Sequence, residues 1–174
     1  MIRLNRLFLI VAGSLVAGAI FACGDVATAP QGPEFALALV NPAFTSCPLQ
    51  PYKATSGRIG VKGGTLAVGG QVLIVPPEAL KVTTLITMAT PAGTLRRVEF
   101  GPEGLTFLRP AHLIMSYEGC TLAPGARQEV VYVNESLAIL ETTFSESDPA
   151  SLTIKSRLTH FSGYALVSTY AVVY

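Results

Sequence analysis

From Gly57 onward, glycine and proline cut the chain into short runs of β-branched and apolar residues, and that punctuation leaves room for little except strands. Gly63-Gly64, Gly69-Gly70, Gly101-Pro102-Glu103-Gly104 and Pro124-Gly125 are the breaks, because glycine accepts positive φ and proline presets a turn. Strands are expected at 58–61, 65–68, 71–75, 83–89, 97–100, 105–107, 112–117, 129–134, 138–143, 151–158 and 164–168. Strands recurring about every 8 to 12 residues, with no helical period between them, predict an all-β fold, an antiparallel β-sandwich. The length of 174 residues sets one such domain as the default, and 16 glycines with 12 prolines suit its many turns.

The N-terminal end reads differently. Arg3 and Arg6 precede an uncharged run, Leu7 to Phe21, as long as the apolar part of a signal peptide and shorter than a membrane-spanning helix. The run ends Ile20-Phe21-Ala22-Cys23, which resembles the bacterial lipobox, in which an aliphatic, a variable and a small residue precede a cysteine that is lipidated and becomes the new N-terminus. Phe21 is bulkier than is usual at the second position, and the alternative is an ordinary cysteine beside a plain cleavage site. The resemblance implies a lipoprotein signal peptide at 1–22, an anchor at Cys23 and localisation to a bacterial cell envelope. Gly24 replaces the aspartate that often retains lipoproteins at the inner membrane, so the outer membrane, facing periplasm or surface, is the expected site. Acyl chains contribute about 0.8 kcal/mol per buried methylene, enough together to hold a protein on a membrane without a spanning helix.

Residues 23–56 mix Ala, Pro, Thr and Gly without a sustained period and are expected to form a flexible tether with one short strand at 35–40. The sandwich domain is then expected at 57–174. Without Arg3 and Arg6 the mature chain carries ten basic against eleven acidic residues. Nucleic-acid binding needs a basic cluster to release counterions, and this balance argues against it.

Four blocks carry a family resemblance. Gly63-Gly64-Thr65-Leu66, Leu73 to Leu80 (LIVPPEAL), Val98 to Ala111 (VEFGPEGLTFLRPA) and His160-Phe161-Ser162-Gly163-Tyr164 resemble, in order and spacing, the ZU-five domain family, named from zonula occludens proteins and netrin receptors. The similarity runs from about Gly57 to Ser168. It implies a β-sandwich serving as an interaction or scaffold module, with an unidentified envelope protein as the possible partner, since the animal domains that accompany the module are not seen here. Pro76-Pro77 is expected to end a strand, with Ala79 and Leu80 folding back as a plug. The Gly101-to-Gly104 turn is expected to let Phe100 and Phe107 face one core.

The resemblance also bears on LTHFSGYAL, Leu158 to Leu166. Some ZU-five proteins cut themselves at His-Phe-Ser by an N-to-O acyl shift, in which the serine hydroxyl attacks the preceding carbonyl and a histidine takes its proton. Carried over, Ser162 is the nucleophile, His160 the base and Phe161–Ser162 the scissile bond. Alternation along an extended segment puts His160 and Ser162 on one face. The other reading has Phe161 in the core, a bend at Ser162-Gly163 and His160 at the surface; on that reading no catalysis is expected, and it is the reading preferred here.

Other chemistry has thinner support. His112 sits in an apolar strand pattern, and no Gly-x-Ser-x-Gly elbow accompanies the two histidines. No Cys/His/Asp/Glu cluster has ligand spacing, so neither a metal nor a cofactor is expected. Glu99 and Glu103 flank a turn and read as solvated charges. Cys47 and Cys120 remain once Cys23 is set aside; in an exported protein a disulfide is expected, the alternative being two free thiols. Residues 163–174 end in TYAVVY and are expected as an edge or terminal strand, whose free backbone is able to join a partner's sheet. The lack of Trp argues against a sugar-binding module.

Overall fold

The computed structural model describes residues 42–169. The signal peptide, Cys23, the strand expected at 35–40 and residues 170–174 lie outside the described residues. What is described is an antiparallel β-sandwich without helix. Its strands are β1 (Ala43–Phe44), β2 (Ser46–Gln50), β3 (Lys53–Ile59), β4 (Gly64–Val68), β5 (Gln71–Val75), β6 (Thr84–Thr90), β7 (Gly93–Leu95), β8 (Arg97–Gly101), β9 (Thr106–Ser116), β10 (Arg127–Val133), β11 (Ile139–Thr142), β12 (Ser145–Asp148), β13 (Thr153–His160) and β14 (Gly163–Thr169).

The larger sheet has the order β11-β10-β14-β8-β6-β3, with β1 added beside β14; the smaller has the order β12-β13-β9-β5-β4; β2 and β7 form a separate ribbon. Alternation decides which side chains meet between the sheets. Along β13, Ile154, Ser156 and Leu158 point inward and are buried, while Lys155, Arg157 and Thr159 point out. Leu73, Leu113 and Met115 join them from the smaller sheet and pack against Ile86, Met88, Val98, Val130, Tyr164 and Leu166 of the larger one. Ala79 and Leu80 fold back into this core as expected, with the Ala79 carbonyl accepting from the Leu108 N–H at 3.0 Å. Gly63 has φ 72° and no room for a Cβ against the backbone of Val75 to Pro77, which explains the glycine pair ahead of β4.

Several expected boundaries move. The two strands expected at 105–107 and 112–117 are one, β9 (Thr106–Ser116), which runs through Pro110. Its ladder with β13 shifts register between Leu158 and His160, beside that proline, so no donor is required of it there. The fold also begins before Gly57. Within the stretch expected as tether, β1 pairs β14, β2 pairs β7 and β3 pairs β6 from Lys53 opposite Thr90 to Ile59 opposite Thr84. Backbone pairing holds this stretch together with a few buried side chains, Thr45 and Cys47 among them, and a disulfide between Cys47 and Cys120 fastens β2 to the turn after β9.

The expectation of an edge strand at the C-terminal end fails for the described part. β14 is central: β10 pairs it from Gly163 to Thr169 on one side, and β8 and β1 share the other. The cause is a run buried on both faces. Tyr164 and Leu166 enter the main core, while Ala165 and Val167 join Val131 and Val133 in a second cluster flanked by Phe44, Leu137 and Ile139.

Candidate functional site

The chain changes sheets at His-Phe-Ser. β13 ends at His160 in the smaller sheet, β14 starts at Gly163 in the larger, and Phe161 and Ser162 make the crossing. Both peptide groups of Phe161 are held by the turn that follows β8: its N–H donates to the Leu105 carbonyl at 2.8 Å, and its carbonyl accepts from the Gly104 N–H at 3.1 Å. The Ser162 carbonyl accepts from the Phe100 N–H at 3.2 Å. The Phe161 ring, 1% exposed, stacks on Phe100 at 4.7 Å and meets Phe107 edge-on at 4.9 Å. Phe100 and Phe107 thus share one core around a third ring.

The crossing separates the two side chains expected on one face. The His160 ring lies 5.0 Å from Tyr132, its Nε2 is 4.0 Å from the Glu141 carboxylate, and its carbonyl accepts from the Tyr164 hydroxyl at 2.6 Å. Burial, followed by the Glu141 charge and Tyr132, raises the pKa of the Tyr164 phenol. Ser162 instead lines a hollow of about 290 Å³ with Arg97, Glu99, Glu103 and Asn134, and among the described residues its hydroxyl has no hydrogen-bond partner. His160 lines a different hollow of about 240 Å³ with Pro110, Tyr132, Phe144 and Arg157. Period-two alternation does not carry across a change of sheet, and no hydrogen bond joins His160 to Ser162. Glu99 pairs with Arg97 at 2.9 Å, while Glu103 is exposed at the same rim.

Another of the crossings between the sheets lies at Thr143-Phe144, between β11 in the larger sheet and β12 in the smaller. Thr143 is tied inward: its hydroxyl donates to the Val130 carbonyl at 2.6 Å and meets the hydroxyls of Ser145 and buried Ser156. Phe144 points outward, 63% exposed, with the Arg157 guanidinium 5.9 Å from its ring centre. Beside the ring is a hollow of about 220 Å³ lined by His112, Phe144, Glu146, Lys155 and Arg157. Sheet register builds it: Arg157 lies opposite His112, and Lys155 opposite Glu146. The His112 Nδ1 is buried without a partner, and desolvation, then Lys155 and Arg157, lowers that ring's pKa against the opposing effect of Glu146. None of these residues is a site candidate by sequence motif; the available signal was the outward alternation of Lys155, Arg157 and Thr159.

Fold and bonding together define a disulfide-closed, antiparallel β-sandwich domain. No model of a known protein family matches the chain, and no curated protein matches it at a significant level. The likeness to the ZU-five family therefore rests on the four sequence blocks that carry it.

Proposed function

We propose that the protein is a lipid-anchored β-sandwich of a bacterial envelope that serves as a protein-interaction or structural module and performs no catalysis. The anchor is Cys23, supported by the lipobox-like Ile20-Phe21-Ala22-Cys23 after an apolar run. The observation that carries the non-catalytic reading is the engagement of Phe161, whose ring fills the core and whose two peptide groups are both bonded. Exposed apolar side chains support a contact role. Val61 and Val82 lie in the two turns that meet where Gly60 abuts Thr83, and Leu85 follows on β6; all three are at least half exposed.

One observation favours the self-cleaving alternative. The Gly104 N–H already donates to the Phe161 carbonyl, where an oxyanion would form if the unpartnered Ser162 hydroxyl attacked. In that step the Ser162 oxygen bonds to the Phe161 carbonyl carbon, the Phe161–Ser162 amide bond breaks to free the Ser162 amine, and water then splits the ester. His160 would have to leave Tyr132 and Glu141 to act as the base.

Intact mass under denaturing conditions separates the readings, with Cys23→Ala and Ser162→Ala versions measured in parallel. The proposed function predicts one uncut chain that carries acyl mass and partitions with membranes, both lost in Cys23→Ala. A fragment beginning at Ser162, absent from Ser162→Ala, would replace it with the self-cleaving reading.

A further inference from the structure

The hollow between Phe144 and His112 takes part in neither reading above, and its chemistry is polarised. Lys155 and Arg157 project from alternate positions of β13, and neither forms a salt bridge with any described residue. Against them stands one carboxylate, Glu146 on β12, so the lining carries a net single positive charge while His112 is neutral. The strand on the other side of His112 places Ile74 opposite it and adds no charge. The fourth wall is an exposed aromatic ring backed by a guanidinium. On the far side of Phe144 and Arg157, which line both hollows, Glu141 repels anions, so a ligand's negative end has only one favourable direction.

We propose that this hollow binds a small carboxylic acid with an apolar body, its carboxylate held by Arg157, Lys155 and His112 and its body laid on the Phe144 ring. The fork of Arg157 suits a carboxylate, and the His112 ring, which lines the hollow beside it, adds a positive charge once protonated. The net charge matches a monoanion. A bare inorganic anion would leave the Phe144 face uncovered, so the ring selects for the apolar body. Because the bound carboxylate favours the charged imidazole, binding raises the His112 titration midpoint and strengthens as pH falls through it.

Benzoate is the probe, added to the full chain while the imidazole C–H resonances are followed against pH. The chain holds two histidines, so a His160→Gln version assigns them. The expected result is an upward move of the His112 midpoint with saturating benzoate, no move at His160, and roughly fivefold weaker benzoate binding in Phe144→Ala, the size of a lost ring contact. Arg157→Gln should weaken benzoate further while the chain keeps its unfolding midpoint in urea. An unmoved His112 midpoint would overturn the proposal. Equal binding of inorganic phosphate, with benzoate affinity unaffected by Phe144→Ala, would also overturn it and reduce the hollow to a general anion contact.

Discussion

The chain passes between the two sheets at six connections, and two of these corners carry a phenylalanine. At the first, Phe161 is sealed between Phe100 and Phe107; at the second, Phe144 stands 63% exposed over Arg157. The corners perform the same topological task with opposite use of the ring. Packing at Phe161 leaves its main chain and side chain no unspent group, whereas the second corner is fastened by Thr143 and leaves its ring for solvent or ligand. At these two crossings a different residue is the inward anchor, and that choice decides whether the phenylalanine is free to meet a ligand.

Substitutions at the two corners test that division. Phe161→Ala should cost about 3–5 kcal/mol, the range for a large buried aromatic, read as a lower urea midpoint at unchanged slope. A loss below about 1 kcal/mol would show the sealed corner to be no anchor. Thr143→Ala should cost about 1–3 kcal/mol, because it leaves the Ser156 hydroxyl, fully buried, short of its partner. Gly104→Ala should cost about 1 kcal/mol through its φ of 73° alone, since a Cβ there meets nothing within 4 Å. The hydrogen-exchange rate of its amide, bonded to the Phe161 carbonyl, should rise in parallel.

The open corner should show its own pH dependence. His112 has a folded pKa below its ordinary value, so its neutral form is favoured by folding. That contribution is present above the unfolded value of about 6.5 and is lost as pH falls through the folded value. His112→Gln should flatten the dependence of urea stability over that window relative to the parent chain. The smallest stability change is expected for Phe144→Ala, within about 0.5 kcal/mol, as for other exposed positions. A loss as large as that of Phe161→Ala would erase the distinction between the corners.

The first corner was largely legible in the sequence. Phe100 and Phe107 flank a Gly-Pro turn, so their shared core was readable, and a Phe beside Ser-Gly marks a bend with a buried ring; that the third ring packs between the other two was not. The separation of His160 from Ser162 was not, because alternation along a strand says nothing once the chain changes sheets. The second corner was hidden for a related reason. Phe144 and Arg157 meet only because β12 and β13 form a hairpin, and β12 reads Ser-Glu-Ser-Asp, a strand made by pairing rather than by any apolar pattern. β14 was legible as a strand and misplaced in order: its unbroken apolar run signals burial on both faces, which belongs to a middle strand.

The disulfide also has a mechanical meaning. β1 lies antiparallel to β14 with Ala43 beside Ser168, so opposed forces on the two ends of the described chain pull along neighbouring strands and unzip β1 first. The load then reaches Cys47 and passes through sulfur to Cys120, a jump of 73 positions along the sequence. Strands β3 to β9 lie inside that bypass and bear no tension while the bond is intact. At about 3.3–3.6 Å per extended residue, the sheltered length is on the order of 250 Å. A stretched molecule would release it as one discrete lengthening only after reduction, so while the bond is oxidised half of the described strands stay outside the line of force.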